Sequence, residues 1–116
     1  IITLSVTPKE KISVEAAIEA FRAYPRIMVV RIDEGFNSNS SLFQWARYME
    51  YPRGDMYEIG LFEETVGLSG DDVVFAINIP QESVTIPETL DAVRAAMEMQ
   101  SKGSEAVATT DRYLGI

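Results

Sequence analysis

Neither cysteine nor histidine occurs anywhere in these 116 residues. Without thiols there is no disulfide framework and no thiolate nucleophile. Without imidazole, the commonest general base and the commonest metal ligand are both missing. Positive charge is also scarce: 10 Lys and Arg stand against 18 Asp and Glu, a formal net charge of -8. The deficit is local. Residues 1–54 carry 7 basic and 6 acidic side chains, and residues 55–116 carry 3 and 12. An acidic half with no basic stripe argues against nucleic acid, which needs clustered Lys and Arg to displace counterions. It argues equally against an anionic membrane surface. No apolar run reaches transmembrane length. The opening "IITLSVTPKEK" lacks the charged lead, apolar run and cleavage site of a secretory signal. It also lacks an initiator methionine, as a processed or excised segment would.

What is present suits one soluble globular domain, with 47% apolar and 24% charged residues. Ile2, Leu4 and Val6 alternate with Thr3, Ser5 and Thr7, the period of a half-buried strand. Ser13 is placed to cap a helix running to about Tyr24, with Val14, Ala17, Ile18 and Phe21 on one stripe. Tyr24-Pro25 ends it. "RIMVVRI" reads as an interior strand. "GFNSNSS" is turn-rich and leads into a helix from about Ser40 to Glu50, with Leu42, Trp45, Ala46 and Met49 on one face. "MYEIGLF" and "TVGL" read as one long strand with an irregularity at Glu63-Glu64. "SGDD" is the hairpin turn, and "VVFAINI" the return strand. Thr85-Ile86-Pro87-Glu88 has the form of a capping box, followed by a helix whose stripe is Leu90, Val93 and Met97. The tail "ATTDRYLGI" shows no clear pattern.

The order is β-α-β-α-β-β-α. It implies an α+β fold: a mixed, largely antiparallel sheet of about four strands, with three helices mainly on one face. Residues 1–116 form a single segment. The second and fourth strands are apolar on both faces, so a covering layer from elsewhere is expected.

Most chemistry-bearing residues have plain readings. Glu63 and Glu64 are strand neighbours, pointing to opposite faces unless a bulge realigns them. Asp71-Asp72 suits a hairpin tip better than a metal site. Asn39 begins an "NSS" triplet, which without a secretory context carries no glycosylation argument. Gly54, Gly60, Gly67 and Gly70 precede no helix start at the spacing of a phosphate loop. Trp45 sits on a core stripe. The polar cluster Gln81-Glu82-Ser83 remains, where a strand hands over to a helix. A helix N-terminus presents free N–H groups there, and loops at strand ends are where ligands are met. Gln81 offers one amide to another; Glu82 and Ser83 can orient it. A plain polar connection is the competing reading.

The stretch "PQESVTIPETLDAVRAAMEM", with the terminal "YLGI", resembles the carboxy-terminal region of archaeal-type (type II) glyceraldehyde-3-phosphate dehydrogenases. That family carries a "HQES-V-PEN-DAIRA" segment near its end. "IITLSVTPKEKISVEAAIEAFRAYPRI" and "DMYEIGLFEETVGLSGDDVVFAI" follow the family in register, so the likeness covers nearly the whole chain. It implies a C-terminal piece, about one-third, of a cytoplasmic homo-oligomeric enzyme of glycolysis. That enzyme oxidises an aldehyde phosphate with NAD or NADP and phosphate. The family's attacking cysteine, histidine base and dinucleotide fold lie upstream. The resemblance therefore implies no catalytic residue, no metal and no cofactor for this chain alone, and the remainder of the subunit as its partner. It places Gln81 beside the nicotinamide, with Glu82 and Ser83 matched around it. One departure stands out. Pro80 replaces the family's usual histidine, and proline offers neither a side-chain polar group nor an N–H. A divergent dehydrogenase and a relative with a changed substrate both fit. The alternative from another class is a free-standing α/β module that oligomerises or binds a partner through an uncovered sheet.

Overall fold

In the computed structural model all residues, Ile1–Ile116, are described. Nine regular elements follow in order: β1 (Ile2–Val6), α1 (Val14–Arg22), β2 (Ile27–Val30), α2 (Asn39–Tyr48), β3 (Ile59–Phe62), β4 (Gly67–Ser69), β5 (Asp72–Asn78), α3 (Thr85–Ala96) and α4 (Gly103–Leu114). The α+β class and the mixed, largely antiparallel sheet hold. The sheet has five strands because a 3-10 turn at Glu63–Thr65 divides the expected long strand into β3 and β4. The fourth helix, α4, comes from the tail.

The strand order is β1-β5-β3-β2, with β4 also on β5. β5 is antiparallel to β1 (Ile2 opposite Ile77, Val6 opposite Val73) and to β3 (Gly60 opposite Asn78). β2 and β3 are parallel. Through α1 the chain crosses the sheet from β1 to β2, and through α2 it steps back to β3. Crossovers of one hand that run in opposite directions put their helices on opposite faces. The helices accordingly divide between the faces. Ala17 of α1 lies over Leu61, Val73, Phe75 and Ile77. Leu42 and Ala46 of α2 lie over Val30 and Phe62 on the other side, with Met56. Ser13 caps α1 as expected, its hydroxyl accepting from Ala16 N at 3.1 Å. A Ser38–Ser41 capping box starts α2.

The α3–α4 pair packs at the end of the sheet where β2 begins. Its anchor is Arg26, 3% exposed, which meets Glu88 (3.5 Å), Asp91 (3.5 Å) and Asp111 (2.5 Å). Thr110 donates to Asp91 at 2.5 Å. Two sequence expectations change here. The capping box at Thr85 is not formed: the Thr85 hydroxyl donates to the Gln81 carbonyl at 2.5 Å, and Glu88 turns to Arg26. Nor is the Leu90, Val93 and Met97 stripe in the core; these residues are 41%, 53% and 69% exposed. The buried side of α3 carries Pro87 and Asp91, because the guanidinium draws the acidic side inward.

Three carboxylates around one guanidinium leave negative charge in excess. Burial, with Asp91 and Asp111 nearby, raises the Glu88 pKa above its ordinary 4.5, although Arg26 opposes the shift. A raised folded pKa gives stability that is complete below the unfolded value and is lost as pH climbs through the folded one. Glu88→Gln keeps the neutral shape at every pH. Thermal melts are expected to show it more stable than the parent at pH 7, with the gap closing towards pH 4; a gap that widened on acidification would contradict this.

The molecule is a slab, 41 × 35 × 19 Å, with a radius of gyration of 15.1 Å. A compact chain of this length has about 13 Å. Its surface is 7369 Å², against about 6,300 Å² for a compact monomer of its mass. The excess, roughly 1,000 Å², lies partly on two apolar strips. One is Leu90, Val93 and Met97 of α3. The other is Ile2, Leu4 and Val6 of β1, all exposed.

Candidate functional site

Gln81-Glu82-Ser83 sits in a tight turn built on Pro80. The Pro80 carbonyl accepts from Ser83 N (3.1 Å) and Val84 N (3.0 Å). Pro80 is buried and begins the turn, a position where a missing N–H does no harm. Ser83 is buried as well. Its hydroxyl donates to the Met56 carbonyl at 2.5 Å, and lies 3.3 Å from that of Pro80. It thereby ties the loop to the segment leading into β3. Gln81 and Glu82 are exposed.

The turn thus separates the three residues. Gln81 and Glu82 line a cleft of about 330 Å³ together with Ile1, Ile2, Asn39, Phe43, Asn78 and Ile79. Ser83 is absent from its lining and supports the turn from behind. One wall is the first turn of α2, which carries no acidic residue, so the partial positive charge of the helix end is uncompensated by its own side chains. The floor holds Asn78, the last residue of β5, which is 3% exposed. Its Nδ2 meets no acceptor in the chain. A buried donor left unpaired costs about 1–3 kcal/mol. The cleft is therefore lined by Asn78, whose buried Nδ2 lacks a partner, and by amide and carboxylate acceptors at its rim. That set suits a planar group bearing both a carbonyl and an N–H.

Asn78 is the residue that sequence reasoning passed over. Its signal was faint but present: one amide closing a strand face whose other members are Val74 and Ala76. The remaining acidic candidates are engaged in structure. Asp72 accepts from Ser5 (2.8 Å) and Thr7 (2.5 Å), hydrogen bonds that lower its pKa and fasten β1 to the hairpin. Asp71 pairs with Lys11 at 2.9 Å. Glu63 bridges Arg22 and Arg31, and Glu64 accepts from Ile32 N at 2.9 Å. Trp45 packs edge-on between Phe36 and Tyr51. A second cleft of about 190 Å³, beside Arg26, Tyr51, Tyr57 and Glu58, is bordered by the ion-pair cluster. There the Tyr51 hydroxyl donates to Glu58 at 3.2 Å, and burial, then Glu58, pushes its pKa up to about 12. No helix is long and apolar enough to cross a membrane.

No family model matches the chain. Curated relatives do. A glyceraldehyde-3-phosphate dehydrogenase of Methanobrevibacter smithii is 30% identical over 113 residues, which is 97% of this chain and 33% of the relative. One from Archaeoglobus fulgidus is 32% identical over 114 residues, 98% of this chain and 33% of the relative. One from Methanococcus maripaludis is 36% identical over 99 residues, 85% of this chain and 29% of the relative. The chain spans about one-third of the length of the first two relatives and somewhat less of the third. By sequence, then, this is a segment of the glyceraldehyde-3-phosphate dehydrogenase family in its archaeal form, matched along nearly its whole length.

Proposed function

We propose that the chain is the C-terminal part of the catalytic domain of a phosphorylating aldehyde dehydrogenase. In this reading it supplies scaffold and one wall of the nicotinamide site. The single observation that carries the reading is similarity over 97% of this chain to about one-third of a named dehydrogenase. The parent subunit would oxidise glyceraldehyde 3-phosphate with NAD or NADP and inorganic phosphate. When bound, the nicotinamide ring accepts the hydride. Gln81 and Glu82 would face the nicotinamide side of the site, and Ser83 would hold their turn in place. The cleft's chemistry fits such a group, since a carboxamide both accepts and donates.

The chain has neither cysteine nor histidine, so on its own it lacks the nucleophile and base that the family's covalent step uses. The remainder of the subunit is its first partner, and a homo-oligomer in the cytoplasm is its setting. The two exposed apolar strips support a covered face in the assembled protein. An independent module would expose the same strips, but the length ratio to the relatives favours the segment.

The test is direct. The full subunit, given aldehyde phosphate, oxidised dinucleotide and phosphate, is expected to produce reduced dinucleotide, and the 116-residue chain is expected to produce none. Steady turnover by the chain alone would refute the assignment of reactive groups elsewhere. The isolated chain should also associate or bind a hydrophobic dye; a monodisperse monomer that binds none would remove the argument for a missing cover.

A further inference from the structure

We infer that Asn78 is a ligand-contacting residue: its buried, unpaired side-chain amide turns into the cleft and donates to the carbonyl oxygen of the nicotinamide carboxamide. The inference rests on the proposed function above and goes beyond it, since neither the motif nor the fold required an amide at this position. Three observations converge. Asn78 is 3% exposed, and its Nδ2 has no acceptor in the chain. The same side chain lines the cleft that Gln81 and Glu82 rim. Its strand partner is Gly60, which offers no side-chain acceptor; a Cβ built there would come 3.7 Å from that of Asn78.

The hydrogen-bonding capacities then match in opposite senses. A carboxamide has a carbonyl that needs a donor and an NH2 that needs acceptors. Asn78 supplies the donor. The Gln81 side-chain carbonyl and the Glu82 carboxylate supply acceptors. An anion would meet Glu82 and be repelled. An aliphatic ligand would leave the Asn78 amide unpaired, as it is in the chain alone.

The experiment uses the full subunit that contains this chain, with binding as the readout. Dissociation constants are measured for the oxidised dinucleotide and for its 3-acetylpyridine analogue, which keeps the carbonyl and replaces NH2 with methyl. ADP-ribose, which lacks the ring, is the third probe. Asn78→Ala removes the donor, and Asn78→Asp replaces it with an acceptor in the same shape. Both are expected to weaken the dinucleotide and the analogue about three- to tenfold, the loss of one neutral hydrogen bond, and to leave ADP-ribose unchanged. Gln81→Ala is expected to weaken the dinucleotide more than the analogue. If Gln81→Ala weakens binding while both Asn78 variants bind normally, the role of Asn78 is overturned and the site stands. If neither position affects dinucleotide binding, the loop is not a nicotinamide wall and both readings fall. A parallel loss for ADP-ribose, or a lower melting temperature with unchanged affinities, would make Asn78 a packing residue and overturn the inference. So would an Asn78→Ala penalty that vanished with the acetylpyridine analogue.

Discussion

Arg26→Met is expected to destabilise the protein by about 3–5 kcal/mol, the penalty for removing one partner of a buried ion cluster. Domains of this kind have about 5–15 kcal/mol in total, so the variant should sit near the edge of unfolding at 37 °C. Arg26 is the only cation among Glu88, Asp91 and Asp111 in the cluster. Take it away and three carboxylates face one another against the low-dielectric side of α3. The contacts are ionic more than well-aligned hydrogen bonds: Nε of Arg26, Oε1 of Glu88 and Oδ1 of Asp111 each lack an aligned partner. The energy therefore depends on charge balance more than on geometry. Urea titration of single and combined variants separates these contributions. Arg26→Met together with Asp91→Asn and Asp111→Asn should recover much of the loss, because the uncompensated charge goes with the cation. No recovery would mean that the guanidinium acts through packing of its stem.

The second large effect lies on the face of the sheet that α2 covers. Leu42 is fully buried and rests on Gly60, where an added Cβ would come 2.7 Å from Leu42 Cδ1. Leu42→Ala is expected to lose about 2–5 kcal/mol, through transferred methyl groups and the cavity they leave. Gly60→Ala forces the leucine aside in a closed core, at about 1–3 kcal/mol. The two residues share one space, so their combination should be less damaging than the sum of the parts. Strict additivity in denaturant melts would show that the glycine is required for another reason.

These two sites show how much the sequence made legible. Apolar periodicity located α1 and α2, and Ala17, Leu42 and Ala46 do turn inward, but Met49, expected on the α2 stripe, caps the helix and is 52% exposed. The irregularity at Glu63-Glu64 proved to be a 3-10 turn that ends β3. Periodicity failed where charge overrode it. On α3 the apolar stripe faces outward because Asp91 is held by Arg26 and Thr110, and no pattern of hydrophobic spacing encodes that pull. The helix α4 was invisible for a related reason. Its start has no side-chain cap, and its polar groups find partners only in the fold, Thr109 at the Glu105 carbonyl (2.8 Å) and Thr110 at Asp91. At the cleft, the polar cluster at a strand end and the family resemblance pointed to Gln81, Glu82 and Ser83. Asn78 emerges only when β5 is laid beside β3 and its amide is seen to lack a partner.

The placement of β1 beside β5 has a consequence for biogenesis. Thr7 and Asp72, bonded across that pair, are 65 residues apart in sequence. At a synthesis rate of about 5–20 residues per second, the first strand emerges several seconds before its mate exists. During that interval Ile2, Leu4 and Val6 lack the β5 ladder that they join in the fold, and long-range pairing of this kind slows folding. Capture of this strand by chaperones during translation should therefore fall once β5 leaves the ribosome.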